Sequence, residues 1–303
     1  MIVDAHCHAG RGDALTAPWT TEAPLGAYLR RARAAGIGRT IVMPTFPTDS
    51  ARANRELAGI VARRPSRLIG FAWVNPQRDA DRVADILDRA IAAGLRGVKV
   101  HVHEASPGRE VCEAAAERGL PILVDVFGRA HLIDLFAPAY PQVTFIVAHL
   151  GSFADDWRAH QTVIDSLGRH RNVYADTSGV RRFDYLVSAV RHAGPRKLLF
   201  GSDGPWLHPG LELHKIQLLR LRPAAEALVC GGNAERILAT VGETRLRRWT
   251  RKGRYDPHGR FAAPVEQSED DARGVQPRGA QRRGRSHDPT LRGRRYYDRD
   301  ARL

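Results

Sequence analysis

The sequence predicts an α/β protein of the (β/α)8 (TIM) barrel class followed by a disordered, basic C-terminal tail. Three observations carry that expectation. Strand-like and helix-like runs alternate along the first two thirds of the chain, and consecutive parallel strands need a helical crossover between them. Eight such units in about 200–250 residues is the size of a (β/α)8 barrel, whereas a doubly wound sheet more usually has about five to seven strands. No Gly-rich phosphate loop follows the first strand run, where a dinucleotide-binding sheet would want one.

In chain order, the strand runs are expected at 2–8, 40–44, 68–74, 97–102, 121–126, 144–149, 173–176 and 197–201, each a short apolar stretch. Helical periodicity fills the intervals at 25–35, 50–64, 79–93, 109–118, 130–139, 155–170 and 181–193, with two more helices expected at 212–220 and 233–241. From Thr244 onward the periodicity stops and Arg, Gly, Pro, Ser and Asp dominate. Such a segment has too few apolar residues to offset the entropy of ordering, so the expected division is a barrel over 1–243 and a disordered Arg-rich tail over 244–303.

The formal net charge of +14 resembles a nucleic-acid signature until it is divided along the chain. Residues 245–303 hold 17 basic against 8 acidic residues, a net +9, which leaves only +5 for residues 1–244. All but four of the basic residues are Arg, as a GC-rich coding bias gives. Cys7, Cys112 and Cys230 are odd in number and far apart, which argues against a disulfide framework. No run reaches the roughly 18 apolar residues needed to cross a bilayer, and no leader pattern precedes Ile2. The expected location is therefore cytoplasmic.

In a (β/α)8 barrel the reactive groups sit at the C-terminal ends of the strands. There the sequence places His6-Cys7-His8, Lys99-Val100-His101-Val102-His103, Asp125, His149-Leu150-Gly151 and Gly201-Ser202-Asp203-Gly204-Pro205. Side chains alternate along a strand, so His6 and His8 share one face and Cys7 turns toward the helices. If that face is interior, their imidazoles converge with His149, Asp125 and Asp203 on a donor set that suits one divalent ion such as Zn2+, Mn2+ or Fe2+. Taken singly, each motif has a plainer account. An HxH pair can be two core imidazoles bonded to carbonyls, Asp203 can start a turn, and His149 can be a buried orienting residue.

Together these residues resemble a known family. His6-Cys7-His8, Gly97-Val98-Lys99-Val100-His101, Ala148-His149-Leu150-Gly151-Ser152-Phe153, Gly201-Ser202-Asp203-Gly204-Pro205 and Gly232-Asn233-Ala234, in that order, are similar to the motifs of the amidohydrolase superfamily. The branch they most resemble contains aminocarboxymuconate-semialdehyde decarboxylase and its relatives, and the resemblance spans residues 1–241. It implies a mononuclear site in which His6 and His8 are ligands, Asp203 is a ligand that also moves a proton, and His149 is an acid/base or a ligand. Strand five departs from that branch, which has a metal-binding His where this chain has Asp125. A site of two His and two Asp is then implied, with Asp125 as the fourth metal ligand. Related lactonases tolerate Asp there, and some of them work without a tightly held metal. Other members carbamylate a strand-four Lys, the position of Lys99, to bridge two metals, but they pair it with His on both strands five and six.

The function expected from all this is a metal-dependent hydrolase, with one Zn2+, Mn2+ or Fe2+ ion, cleaving an amide or lactone bond of a small organic acid. Asp203 and His149 are the catalytic pair, and Lys99, His101, Arg182 and Trp206 the substrate-binding candidates, an Arg being suited to a carboxylate. Arg11 and Arg181 are further candidate anchors, and Trp157 and His160, like Trp206, could shape the pocket or equally belong to helix packing. The alternative chemistry is a non-oxidative decarboxylase. From another class stand a polyanion-binding protein acting through its tail and a catalytically inactive barrel. The expected partner is a small anionic molecule, with no membrane and no nucleic acid, and a homodimer is compatible with the sequence.

Overall fold

The computed structural model describes residues 1–13, 21–153 and 155–241. The strands are β1 (Ile2–His8), β2 (Gly10–Gly12), β3 (Thr21–Ala23), β4 (Ile37–Met43), β5 (Leu68–Gly70), β6 (Ala72–Trp73), β7 (Val98–His101), β8 (Ile122–Asp125), β9 (Phe145–Val147), β10 (Val173–Asp176) and β11 (Leu198–Leu199). The helices are α1 (Leu25–Ala34), α2 (Ser50–Ala62), α3 (Val83–Ala92), α4 (Arg109–Arg118), α5 (Ile133–Ala139), α6 (Trp157–Arg169), α7 (Phe183–Ala193), α8 (Pro209–Leu218), α9 (Pro223–Ala227) and α10 (Asn233–Ala239). The fold is α/β, with parallel strands and helical crossovers, as the alternating pattern predicts. The expected tail over 244–303 and its boundary lie outside the described residues. Among the described residues no helix is long and apolar enough to cross a membrane.

The parallel strands form two sheets, β1-β4-β5 and β6-β7-β8-β9-β10-β11, while β2 and β3 make a separate antiparallel pair. One expected strand, 68–74, is therefore two. Its first half pairs with β4, Thr40 opposite Leu68, and its second half with β7, Trp73 opposite Lys99. The ring of Phe71, at the break, lies where a side chain on Gly97 would stand. Asn54 of α2 then serves the freed backbone of Trp73 in both directions, its Nδ2 donating to the carbonyl at 2.9 Å and its Oδ1 accepting from the N–H at 2.7 Å. At the other edge the backbone of β1 reaches the segment after β11, through Ala5 N to Phe200 O (2.8 Å), Asp203 N to His6 O (2.7 Å) and His8 N to Gly204 O (2.6 Å).

Other limits also shift for local reasons. The expected strand at 197–201 shrinks to two residues, because 195–197 coil into a 3-10 turn begun by a proline and Phe200 N turns to Val229 O. The helix expected from 79 begins at Val83, since Asp79 spends its carboxylate on Asn75 N and Asp81 is left-handed (φ 63°). The strand expected to end in His149 stops at Val147.

Alternation along the strands separates two apolar layers. Val42, Leu68, Val98, Val100, Ile122, Val124, Phe145 and Val147 face the helices, whereas Val3, Ala5, Ile41, Met43, Ile69, Phe71, Leu123, Ile146 and Leu199 form an inner cluster closed by Ala234, Ile237 and Leu238 of α10. On that inner face the C-terminal strand ends change character, to His6, His8, Lys99, His101, Asp125 and Asp176, all buried.

Candidate metal centre

A bulge in β1 aims the first two of these groups. Asp4 lies opposite Thr40 and Cys7 opposite Val42, so three steps on β1 match two on β4. With Val3 and Ala5 already inward, strict alternation would send His6 outward; the extra residue brings both His6 and His8 inward and leaves Cys7 in the helix-facing layer with Tyr28. Their Nε2 atoms lie 3.3 Å apart, and Asp203 Oδ1 is 3.7 Å from the first and 3.5 Å from the second.

The remaining ring nitrogens fix what those atoms are. His6 Nδ1 lies 2.9 Å from Asp176 Oδ2 and His8 Nδ1 3.0 Å from the carbonyl of Pro44. Both partners accept only, so both Nδ1 atoms carry hydrogen and, in the neutral rings, both Nε2 atoms present lone pairs. Burial keeps the rings neutral: His6 is lowered to about 4 by desolvation, with Lys99 adding to it, and His8 falls well below its ordinary value for the same first reason. Two lone pairs 3.3 Å apart beside a carboxylate make a donor set that a divalent cation fits. Asp203 itself, buried, is raised to about 7 by desolvation.

Asp203 is held by its neighbours. Its backbone is left-handed (φ 55°), and Ser202 beside it is tied to Asp4, whose Oδ1 accepts Ser202 N (2.9 Å) and His6 N (3.1 Å). The other oxygen of Asp4 accepts Tyr28 OH at 2.6 Å and the Ser202 hydroxyl. One buried carboxylate thus spans the backbone before His6 and the backbone before Asp203.

Asp125 faces a second pair of imidazoles. Its Oδ2 faces His101 Nε2 at 3.2 Å and His149 Nε2 at 3.4 Å. His101 Nδ1 accepts the N–H of His103, which leaves the proton on Nε2 to donate to Asp125. Burial opposes its charge, yet His101 and then His149 hold Asp125 well below the usual carboxylate range. In return, although burial works against it, the Asp125 hydrogen bond pushes His149 up to about 9. Lys99 lies fully buried, its Nζ 3.5 Å from His6 Nε2, and burial lowers it against the pull of Asp125, Asp176 and Asp203.

His149 sits beyond its strand, in a run of three left-handed residues with Leu150 and Gly151 (φ 55°, 49° and 100°). Non-glycine residues rarely adopt this conformation, and it is concentrated at functional sites. Gly151 packs where a side chain would strike Val163 and the carbonyl of Ala159 on α6, and His160 Nδ1 donates to the Leu150 carbonyl at 3.0 Å. Of the two roles open to His160, pocket lining and helix packing, the second holds: it is a buried brace.

Asp176 is the group that sequence reasoning missed. It ends β10 as Asp125 ends β8, so the available signal is a carboxylate closing a strand run, with no motif around it. Of the other expected residues, Trp206 is 43% exposed and its ring lies 4.8 Å from that of His8. Phe153 meets His149 edge-on at 5.1 Å, and Phe46 and Phe127 lie 4.8 and 5.7 Å from His101. Arg182 is spent at the surface on Asp184 (2.6 Å) and the ring of Tyr185, Arg181 reaches Asp155 and the Phe153 carbonyl, and Arg11 reaches Glu22.

A family model described as amidohydrolase matches residues 3–240. No curated protein matches the chain. Among solved structures, an amidohydrolase from Burkholderia multivorans with bound zinc is 18% identical and superposes with a TM-score of 0.67, covering 79% of this chain and 99% of that one. The 5-carboxyvanillate decarboxylase of Sphingomonas paucimobilis is 17% identical, with a TM-score of 0.63 over 78% of this chain and 98% of its own. A dihydroxybenzoic acid decarboxylase from Polaromonas sp. JS666, with bound manganese and the inhibitor 2-nitroresorcinol, is 19% identical, with a TM-score of 0.60 over 81% and 99%. At these identities the likeness is one of fold.

Proposed function

The chain belongs to the amidohydrolase family, and from that premise we propose that it is a metal-dependent hydrolase that holds one divalent ion, zinc first, on His6, His8 and Asp203 and opens an amide or lactone bond of a small anionic molecule. The observation that carries the reading is the pair of Nε2 lone pairs, fixed by Asp176 and the Pro44 carbonyl, facing each other and Asp203. Structurally similar proteins that hold zinc and manganese support the choice of metal class. We further read the two parallel sheets as one (β/α)8 barrel over residues 1–243, since the hydrogen bonds from β1 to residues 200–204 continue the parallel pairing. Three free, buried cysteines are in keeping with a cytoplasmic location.

His6, His8 and Asp203 would hold the ion, which would supply water activation, bringing the water pKa from 15.7 toward about 7, and would polarise a carbonyl. Asp203 would accept the proton of the attacking water through its carboxylate and pass it to the leaving nitrogen or oxygen. His149, held protonated by Asp125, would turn the Nε2 hydrogen that it shares with Asp125 at 3.4 Å toward the developing oxyanion. Asp125 is assigned to keep His101 and His149 turned inward rather than to serve as a fourth ligand. Lys99 meets a substrate carboxylate, His101 and Trp206 flank it, and Arg182 would join them only by leaving Asp184.

One observation favours decarboxylation as the second reading. An imidazolium buried beside Asp125 is also an acid suited to protonating the carbon from which CO2 departs, and two similar structures are decarboxylases. Products separate the two: labelled water oxygen in the product means hydrolysis, released CO2 with a new C–H bond means decarboxylation.

Elemental mass spectrometry of untagged protein purified without chelator tests the shared premise. Close to one transition metal per chain is expected, lost in the His6→Ala, His8→Ala double variant. A metal-free wild type, or a double variant as loaded as the wild type, defeats it.

A further inference from the structure

Between the candidate ligand His6 and the candidate acid His149 runs a wholly buried connection through Asp176 and Ser178. Asp176 Oδ2 accepts His6 Nδ1 at 2.9 Å. Its Oδ1 accepts the Ser178 hydroxyl at 2.6 Å, Ser178 N at 3.0 Å and the backbone N–H of His149 at 3.2 Å. With its proton given to Asp176, the Ser178 oxygen offers its lone pairs to His149 Nδ1 at 2.9 Å, and the Ser178 carbonyl lies at the same distance from that nitrogen. Every hydrogen-bonding atom of the Asp176 and Ser178 side chains is therefore committed to one histidine, the other, or the bond between them.

The arm that carries Ser178 is clamped from the far side. Gly179 is left-handed (φ 66°) and packs against the Phe153 ring, while its N–H donates to the buried carboxylate of Glu212 on α8 at 2.9 Å. Lys215 closes the clamp, reaching Glu212 at 2.6 Å and the Val180 carbonyl at 2.8 Å. On its own side His149 has a backbone that an unbraced L residue rarely adopts, and the acceptor of its N–H is the same carboxylate that orients His6.

We infer that Asp176 and Ser178 are positioning residues that make the orientation of His6 and the placement of His149 one mechanical unit, so that holding the metal and aiming the acid are coupled. Carboxylates that orient metal-bound histidines typically matter about 10–100-fold in metal affinity; here the same group also sets the second histidine. The inference rests on the site proposed above; metal binding by the wild type tests that site and the cycle of variants tests the coupling, so the two can fail separately.

The test is zinc affinity of the full chain, measured by competition with a chromophoric chelator. Asp176→Asn keeps an acceptor for His6 but turns a donor toward His149 N and Ser178 N, and is expected to weaken zinc binding by about 10–100-fold. Ser178→Ala and His149→Gly, the latter chosen because glycine accepts the left-handed backbone, are each expected to cost about fivefold, and the double variant about fivefold again instead of their product. Ser178→Thr, which keeps the hydroxyl, should bind within about twofold of wild type. Losses that multiply in the double variant overturn the coupling, as does an Asp176→Asn protein that binds zinc like wild type. A loss above about a hundredfold in His149→Gly alone places that imidazole on the ion and overturns it too. Should Asp176→Asn fail to fold, the Ser178 and His149 cycle decides.

Discussion

At one end of the inner sheet face Val3, Ala5, Ile41, Ile69 and Leu199 meet Ile237 and Leu238 of α10; at the other, β1, β7, β8 and β10 bring in His6, Lys99, His101, Asp125 and Asp176. Both ends are buried. The first obtains its stability from apolar area and close packing, at about 25 cal/mol per Å2 removed from water. The second holds imidazoles, carboxylates and an ammonium that each lose hydration, and stands only because nearly every polar atom has a partner. What differs is which property a substitution should change, stability at the α10 end and chemistry at the other.

The largest expected effect is at the polar end. Asp203→Asn should lower turnover by about a thousandfold or more, the scale of a positioned general base. The midpoint of unfolding of the metal-free protein should stay or rise, because burial already disfavours this carboxylate's charge. An Asn variant with near wild-type turnover defeats the assignment of Asp203.

Phe71→Ala is the mirror experiment. Phe71 is fully buried against Gly97, and its loss should cost about 3–5 kcal/mol in urea unfolding, with metal content unchanged. Loss of metal at temperatures where this variant remains folded would mean that the two ends are not separable.

Between the two lies Asn54, which supplies both polar partners of the Trp73 backbone. Asn54→Ala leaves a buried N–H and a buried carbonyl without them, at about 1–3 kcal/mol. Trp73 stacks over His101 at 6.4 Å, so this variant alone should also raise KM. An unchanged KM with reduced stability would put Asn54 wholly with the packing end.

The sequence carries these ends unequally. The parallel α/β rhythm and the inward pair of His6 and His8 were legible from period and spacing, although the pair points inward through a bulge that alternation alone does not contain. The break at Phe71 was not, because Asn54, 19 residues before Trp73, supplies what a continuous strand would have supplied. Asp125 and Asp176 show the same limit in the site. Both close a strand run, yet only geometry tells that the first faces His101 and His149 while the second joins His6 to His149. Sequence gives the end of the strand a residue occupies; the partner across the interior is set by register.

The smallest effect concerns the polar end as a contributor to stability. His149 is raised from 6.5 to about 9 in the folded metal-free protein, so between those values the folded state binds a proton that the unfolded state has released. Its contribution is fully present below pH 6.5 and is lost as pH rises through 9. Lys197, lowered by burial to about 8, works in the opposite sense above that pH, so the informative quantity is the difference between wild type and His149→Gln. Over pH 6.5 to 9 wild type should lose stability relative to the variant by on the order of 1 kcal/mol, read from urea midpoints in the presence of chelator. Parallel curves would mean that Asp125 does not hold His149 charged. The same titration with zinc added separates fold from chemistry: an ion on His6, His8 and Asp203 stabilises the folded state by mass action whatever the charge of His149. The whole curve should then rise while the pH-dependent difference persists, unless the ion reaches the His149 imidazole itself.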